Sequence, residues 1–202
     1  MKKMIVIFAF SFLVISSGVS AGAFGSLTTA RTIGMGNGNF MGILGVGDFT
    51  SFGGAFTYGL SDHTDGRLKL GLIDGEGGGD ATLSFSADFK YNFVTADSAL
   101  HNGPFDMALG GFFEYYDFDY GSLTAFGGQF IGSYPLRMNN GSILSPYGRL
   151  NTSIESFNSN SDLEVGLNGG VKWELNRNID FYGELELDNS TNFFFGIDFR
   201  IL

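Results

Sequence analysis

Near the C-terminus of this chain, apolar side chains recur at every second position, and few folds can satisfy that pattern. In Leu163 to Leu175 one set is Leu163, Val165, Leu167, Gly169, Val171, Trp173 and Leu175, against Glu164, Gly166, Asn168, Gly170, Lys172 and Glu174. Ile179 to Leu187 sets Ile179, Phe181, Leu185 and Leu187 against Asp180, Tyr182, Glu184 and Glu186. Asn192 to Leu202 sets Phe193, Phe195, Ile197, Phe199 and Ile201 against Asn192, Phe194, Asp198 and Arg200. Successive side chains of a strand point to opposite faces, so each segment reads as a wall with one apolar and one polar side.

The same alternation runs upstream. Phe52 to Leu60, Arg67 to Leu72, Ala81 to Phe93, Phe105 to Tyr115, Phe126 to Tyr134 and Leu144 to Ile154 read as strands. A glycine-rich first segment, Gly36 to Val46, has ambiguous facing. Turn-forming residues separate these ten, among them Ser61 to Asp65, Asp74 to Asp80, Thr95 to Pro104 and the hairpin dipeptide Asn140-Gly141. The expected fold class is all-β: a transmembrane antiparallel up-and-down β-barrel of about ten strands, an even number as single-chain outer-membrane barrels have. A secreted sandwich or lipocalin-like barrel would also alternate. The 23 Phe and 32 Gly spread through the chain, with only 16% charged residues, favour lipid against the apolar face.

Lys2 and Lys3, the apolar run Met4 to Ile15 and the small residues Val19-Ser20-Ala21 read as a signal peptide spanning residues 1–21. The barrel domain then occupies 22–202, and loss of two Lys takes the formal charge from -10 to -12. That charge excludes nucleic acid as a partner. No Cys is present, so disulfides and thiolate metal sites are excluded. No cofactor pattern occurs: the glycines of Gly34 to Gly47 lack the Lys of a phosphate loop.

Gly196-Ile197-Asp198-Phe199-Arg200-Ile201-Leu202 resembles the C-terminal assembly signal of bacterial outer-membrane barrels, with Gly196, Phe199 and Ile201 as its elements and Leu202 where an aromatic is usual. The resemblance implies an outer-membrane location and recognition by a barrel assembly machinery. Ala30-Arg31-Thr32-Ile33-Gly34-Met35-Gly36 is similar to the opening of larger barrels related to fatty-acid transporters and secretion-associated barrels. Those barrels are longer, and their substrate site is not carried over.

With both termini in the periplasm, the outward loops hold Asp48, Asp74, Glu76, Asp80, Asp117, Asp119, Glu155, Asp162 and Asp188 and no Lys or Arg. The periplasmic turns hold Asp62, Asp65, Asp97, Arg137 and Arg177. An acidic rim is either a solvated face or a gathering point for divalent cations, with Asp74, Glu76 and Asp80 the local metal candidates. The inward set is Arg67, Lys69, Lys90, Arg149, Lys172 and Arg200 with Asp88, Asp106, Glu114, Glu164, Glu174, Asp180, Glu184, Glu186 and Asp198. In a narrow barrel these form either a packed ionic network or the lining of a narrow, cation-preferring passage, with Glu184 and Glu186 prominent in the second case. The functional expectation is a structural or passively conducting barrel. A surface interaction barrel acting through acidic loops is the alternative, and a membrane-embedded enzyme the third. Ser61-Asp62-His63 has triad residue types without triad geometry, and His63 and His101 are the only histidines.

Overall fold

The computed structural model describes residues 22–75, 81–96, 103–118, 121–157, 160–188 and 190–202. Its strands are β1 (Gly38–Gly47), β2 (Phe49–Gly59), β3 (Thr64–Gly75), β4 (Thr82–Val94), β5 (Asp106–Phe118), β6 (Gly121–Ser133), the two-residue β7 (Leu136–Arg137), β8 (Ile143–Phe157), β9 (Asn160–Glu174), β10 (Ile179–Leu187) and β11 (Thr191–Arg200). Ten of these form the wall. Each is antiparallel to its sequence neighbours, except that β6 pairs directly with β8 while β7 prolongs the hairpin beneath them. β1 pairs with β11 from Asn39↔Arg200 to Gly47↔Asn192 and closes the barrel. Closure leaves no unpaired sheet edge, the condition for a β-structure to cross a bilayer. No described helix is long and apolar enough to cross a membrane.

The expected strands are all present, and most run a few residues longer than alternation alone suggested. Five acids expected in loops lie inside strands: Asp65 and Asp74 in β3, Asp117 in β5, Glu155 in β8 and Asp162 in β9, of which Asp74, Asp117 and Asp162 stay exposed. Asp65 is the second residue of β3 and Glu155 lies inside β8, and both side chains are buried. Backbone pairing carries each hairpin past the last apolar residue, so a terminal Asp or Glu of correct parity turns inward. The ambiguity of β1 is also resolved: Met41 and Ile43 face in, Phe40 and Leu44 face out.

The outer face is apolar along every wall strand, for example Phe52, Phe56, Leu68, Leu70, Leu72, Phe89, Leu109, Phe126, Leu150, Val165, Phe195 and Ile197. Near the rim where β1 starts and β11 ends, aromatic residues gather on this face. They include Tyr58, Tyr91, Phe105, Trp173 and Phe199, with Phe105 against Tyr134 and Trp173 against Phe181. Such a girdle suits the membrane–water interface, where an apolar ring body and a polar tip are both accommodated. We call this the terminal rim and the opposite one the far rim.

Leu70 lies midway along β3, whereas Leu163 lies near the β8–β9 hairpin at the far rim. Leu70→Arg is therefore expected to reduce folding stability in lipid vesicles by about 2–4 kcal/mol, and Leu163→Arg by about 0–1 kcal/mol. Equilibrium guanidinium titration in vesicles checks the difference.

Candidate functional site: the occupied lumen

The lumen is not an empty polar tube. Residues 22–33 run through it before the chain enters the wall, and Ala23 to Ala30 are all buried. Gly22 lies beside Tyr116 and Glu186, close to the far rim, and the segment descends to Ile33 beside Asp65, close to the terminal rim. Sequence reasoning placed this stretch in the barrel domain without assigning it a position.

An irregular segment inside a barrel has no sheet partner, so most of its amides and carbonyls need side chains. The wall supplies them by charge. The cationic side chains of β3 and β4 take the carbonyls. Lys69 Nζ donates to Gly25 O at 2.6 Å, Arg67 Nη1 to Leu27 O at 3.3 Å, and Lys90 Nζ to Thr29 O at 2.7 Å and Arg31 O at 2.8 Å. Lys90 also reaches Thr28 Oγ1 at 2.9 Å, and Asn92 donates to Ala30 O at 3.1 Å.

The amides turn to acceptors elsewhere on the wall. Glu184 accepts from the Ser26 amide at 2.6 Å, the Leu27 amide at 2.7 Å and Ser26 Oγ at 2.8 Å. Tyr147 OH at 2.7 Å and Asn168 Nδ2 at 2.9 Å add two more donors to the same carboxylate. Tyr116 Oη accepts from the Gly22 and Ala23 amides at 2.7 and 3.1 Å and donates to Glu114 at 2.5 Å. Leu27 is held at a φ of 42°, in the left-handed region that costs a non-glycine residue energy. Its amide is fixed by Glu184 and its carbonyl by Arg67, and these contacts hold the conformation.

Apolar contacts complete the seat. Phe24 and Leu27 pack with Met41, Ile43, Ile73, Tyr116, Leu123 and Phe194, and Ala30 packs with Ala108 and Ile131. The cross-strand pair Gly53↔Gly71 forms the socket for Phe24: a Cβ at either position would come within 2.8 Å of its ring. Gly196, one of the residues expected from the sequence to form an assembly signal, has a packing role here, because a Cβ there would press on Met41 and Leu27. Phe199 and Ile201 of the same signal point outward.

The sequence-derived lumen set divides into three groups. Arg67 and Lys69 pair with Asp88 at 2.8 and 3.6 Å while holding the segment, and Lys90 pairs with Asp65 at 3.4 Å. Near the terminal rim, Lys172 bridges Asp180 at 2.9 Å and Glu174 at 3.2 Å, and Asn39 donates to Asp198 at 2.7 Å. Arg31 and Asp106 meet there at 3.4 Å. Toward the far rim, Glu114, Arg149, Glu164 and Glu186 surround Gly22 in a space of only about 10 Å³, with Arg149 stacked over Phe112. Arg200 has lumen parity but stands exposed at the terminal rim, where β11 ends.

A polar cavity of about 130 Å³ lies inside the lumen toward the terminal rim, lined by Thr28, Arg31, Asp65, Lys90, Lys172 and Asp198 among others. On the outer wall, an apolar groove lies over Gly66, Gly111 and Gly127 among Phe56, Phe89, Phe113 and Phe126. Of the metal candidates, Asp74 is exposed in β3, while Glu76 and Asp80 lie outside the described residues. Among the described residues no cluster of three metal-ligating side chains occurs. His63 is exposed against Tyr91, and His101 lies outside the described residues.

The residues missed from sequence are the segment itself, its neutral partners Tyr116, Asn92 and Ser133, and Tyr147 and Asn168, which donate to Glu184. One signal was present: about fourteen residues without alternation separate the expected processing site from the first strand, more than a wall strand needs.

No protein-family model matches the chain, and no curated protein matches it. Among solved structures it is similar to the β domain of the Bordetella autotransporter BrkA, at 12% identity over 83% of this chain and 100% of that one, with a TM-score of 0.52. It is also similar to the N-terminal β-barrel domain of Pseudomonas aeruginosa OprF (12% identity, 83% and 99% covered, TM-score 0.43) and to the KdgM porin (7%, 81% and 99%, TM-score 0.44). At these identities the likeness is one of fold, and the BrkA comparison carries it. Closed antiparallel topology, an apolar outer band and that likeness make this chain a small β-barrel of the outer-membrane type.

Proposed function

We propose that the protein is a structural outer-membrane barrel closed by its own N-terminal segment, with its lumen charges acting as the clasp for that segment. The observation that carries this reading is the two-sided hold on residues 25–31: Lys69, Arg67 and Lys90 on the carbonyls, Glu184 on the amides. A narrow passive passage exists in this reading only when the segment leaves. Glu184 and Glu186 then act through the segment rather than as the selectivity lining of a standing bore.

In the same reading the terminal rim faces the periplasm. Arg31, Arg137, Arg177 and Arg200 lie toward it, whereas the exposed acids Asp48, Asp74, Asp117 and Asp162 lie toward the far rim. Lipid covers the outer face, and β11 is the strand an assembly machinery reads. A weak association of divalent cations with the far-rim acids belongs to the same proposal. Calorimetric titration with Ca²⁺ that gives no heat removes that part alone.

Refolded protein in planar bilayers is expected to be largely silent. Glu184→Gln replaces one acceptor oxygen with a donor in the midst of five donors and is expected to weaken the clasp by about 1–3 kcal/mol. It should produce opening events that the parent lacks. A steady conductance in the parent, unchanged by Glu184→Gln, refutes the closed barrel. The chain has no Cys, so a single Thr29→Cys reports the segment directly. Its reaction with a maleimide is expected to be slow in the folded barrel. Adding Lys90→Met, which strips Asp65 and three segment oxygens of their cation at a cost of about 3–5 kcal/mol, should accelerate it strongly.

A further inference from the structure

Gly22 occupies the most acidic part of the lumen. Its nitrogen donates to Tyr116 Oη at 2.7 Å, and Tyr116 in turn donates to Glu114. On its other side stands the Glu186 carboxylate, so close that a Cβ on Gly22 would collide with Oε1. Glu186 is 1% exposed, and its Oε1 has no hydrogen-bond partner among the described residues. Its Oε2 accepts from Asn168 at 2.6 Å. Neither Glu114 nor Glu186 makes an ion pair among the described residues. Arg149, the cation lining the same space, lies over the Phe112 ring at 5.0 Å. A buried carboxylate oxygen without a partner costs energy, and the space beside it, about 10 Å³, holds one water at most.

We infer that the missing cation is the α-ammonium group of Gly22, created by hydrolysis of the Ala21–Gly22 bond. The reaction consumes one water. It leaves a carboxylate on Ala21 and an amine on Gly22, which is protonated to the ammonium. Position 22 changes from a neutral amide with one N–H into a cation with three donors, set between Tyr116 Oη and Glu186. Processing by a signal peptidase thus adds a cation at the acidic end of the lumen as well as releasing the leader. The inference rests on the segment being seated as described above, and goes beyond it in assigning the ammonium a partner. Gly22, at φ +135°, fits the position because any side chain there would meet Glu186.

Protein extracted from outer membranes tests this. Its first residue by intact mass and N-terminal sequencing is expected to be Gly22. A start at any other residue overturns the inference. Acylation of the α-amine by a succinimidyl ester is expected to be about tenfold slower in the folded barrel than in the unfolded chain, because an ion-paired ammonium holds its proton. Glu186→Gln should restore much of that reactivity while the barrel keeps its folded mobility on unheated gels. Equal rates in folded and unfolded parent overturn the inference, as does Glu186→Gln with the parent's rate. If Glu186→Gln does not fold, Tyr116→Phe, which deletes one acceptor oxygen, gives the same comparison. A freely reactive amine together with a protected Thr29→Cys sinks this inference and leaves the closed barrel standing.

Discussion

A charge enclosed by a lipid-facing wall must find its partner inside that wall. This barrel carries Arg67, Lys69, Lys90 and Lys172 in its lumen against a larger number of carboxylates. Isolated ions there would cost several kcal/mol each. The pairing is only partly between side chains, as in Arg67–Asp88 and Lys172–Asp180. The remaining demand falls on the backbone of residues 22–33. Its carbonyls complete the cations and its amides complete Glu184, so wall and segment satisfy each other.

That reciprocity explains features that look unrelated along the chain. The glycines at 53 and 71 leave room for Phe24, and Gly196 leaves room for Leu27 and Met41. The positive φ of Leu27 persists because donor and acceptor on either side are already fixed. Inward aromatics such as Phe194 and Tyr116, which break the polar character of the inner face, pack on the segment as well as on Phe49 and Phe118. A lumen built in this way is stiff when occupied and poorly satisfied when empty.

Ten wall strands, their order and the lipid-facing identity of Phe52, Leu70 or Phe195 were legible from alternation. A residue's parity decides its face whatever its neighbours do. Parity also identified most of the buried charges, including Lys90, Glu184 and Glu186. It could not say what they bind. Asp65 and Glu155 were read as loop acids because composition marks a turn more broadly than hydrogen-bond register does. Asp65 in fact accepts from Ile33 and pairs with Lys90, and Glu155 is buried in β8.

Period-two patterning by itself therefore determined the wall: which side meets hydrocarbon, and that the opposite side is polar. Only the tertiary structure decided that residues 22–33 fill the interior. A segment held largely through its carbonyls and amides shows no period in its side chains, because the few that pack, such as Phe24 and Leu27, follow the lumen and not a strand. Its position emerges when ten strands, distant in sequence, curve around it and aim their charges at one strip of main chain.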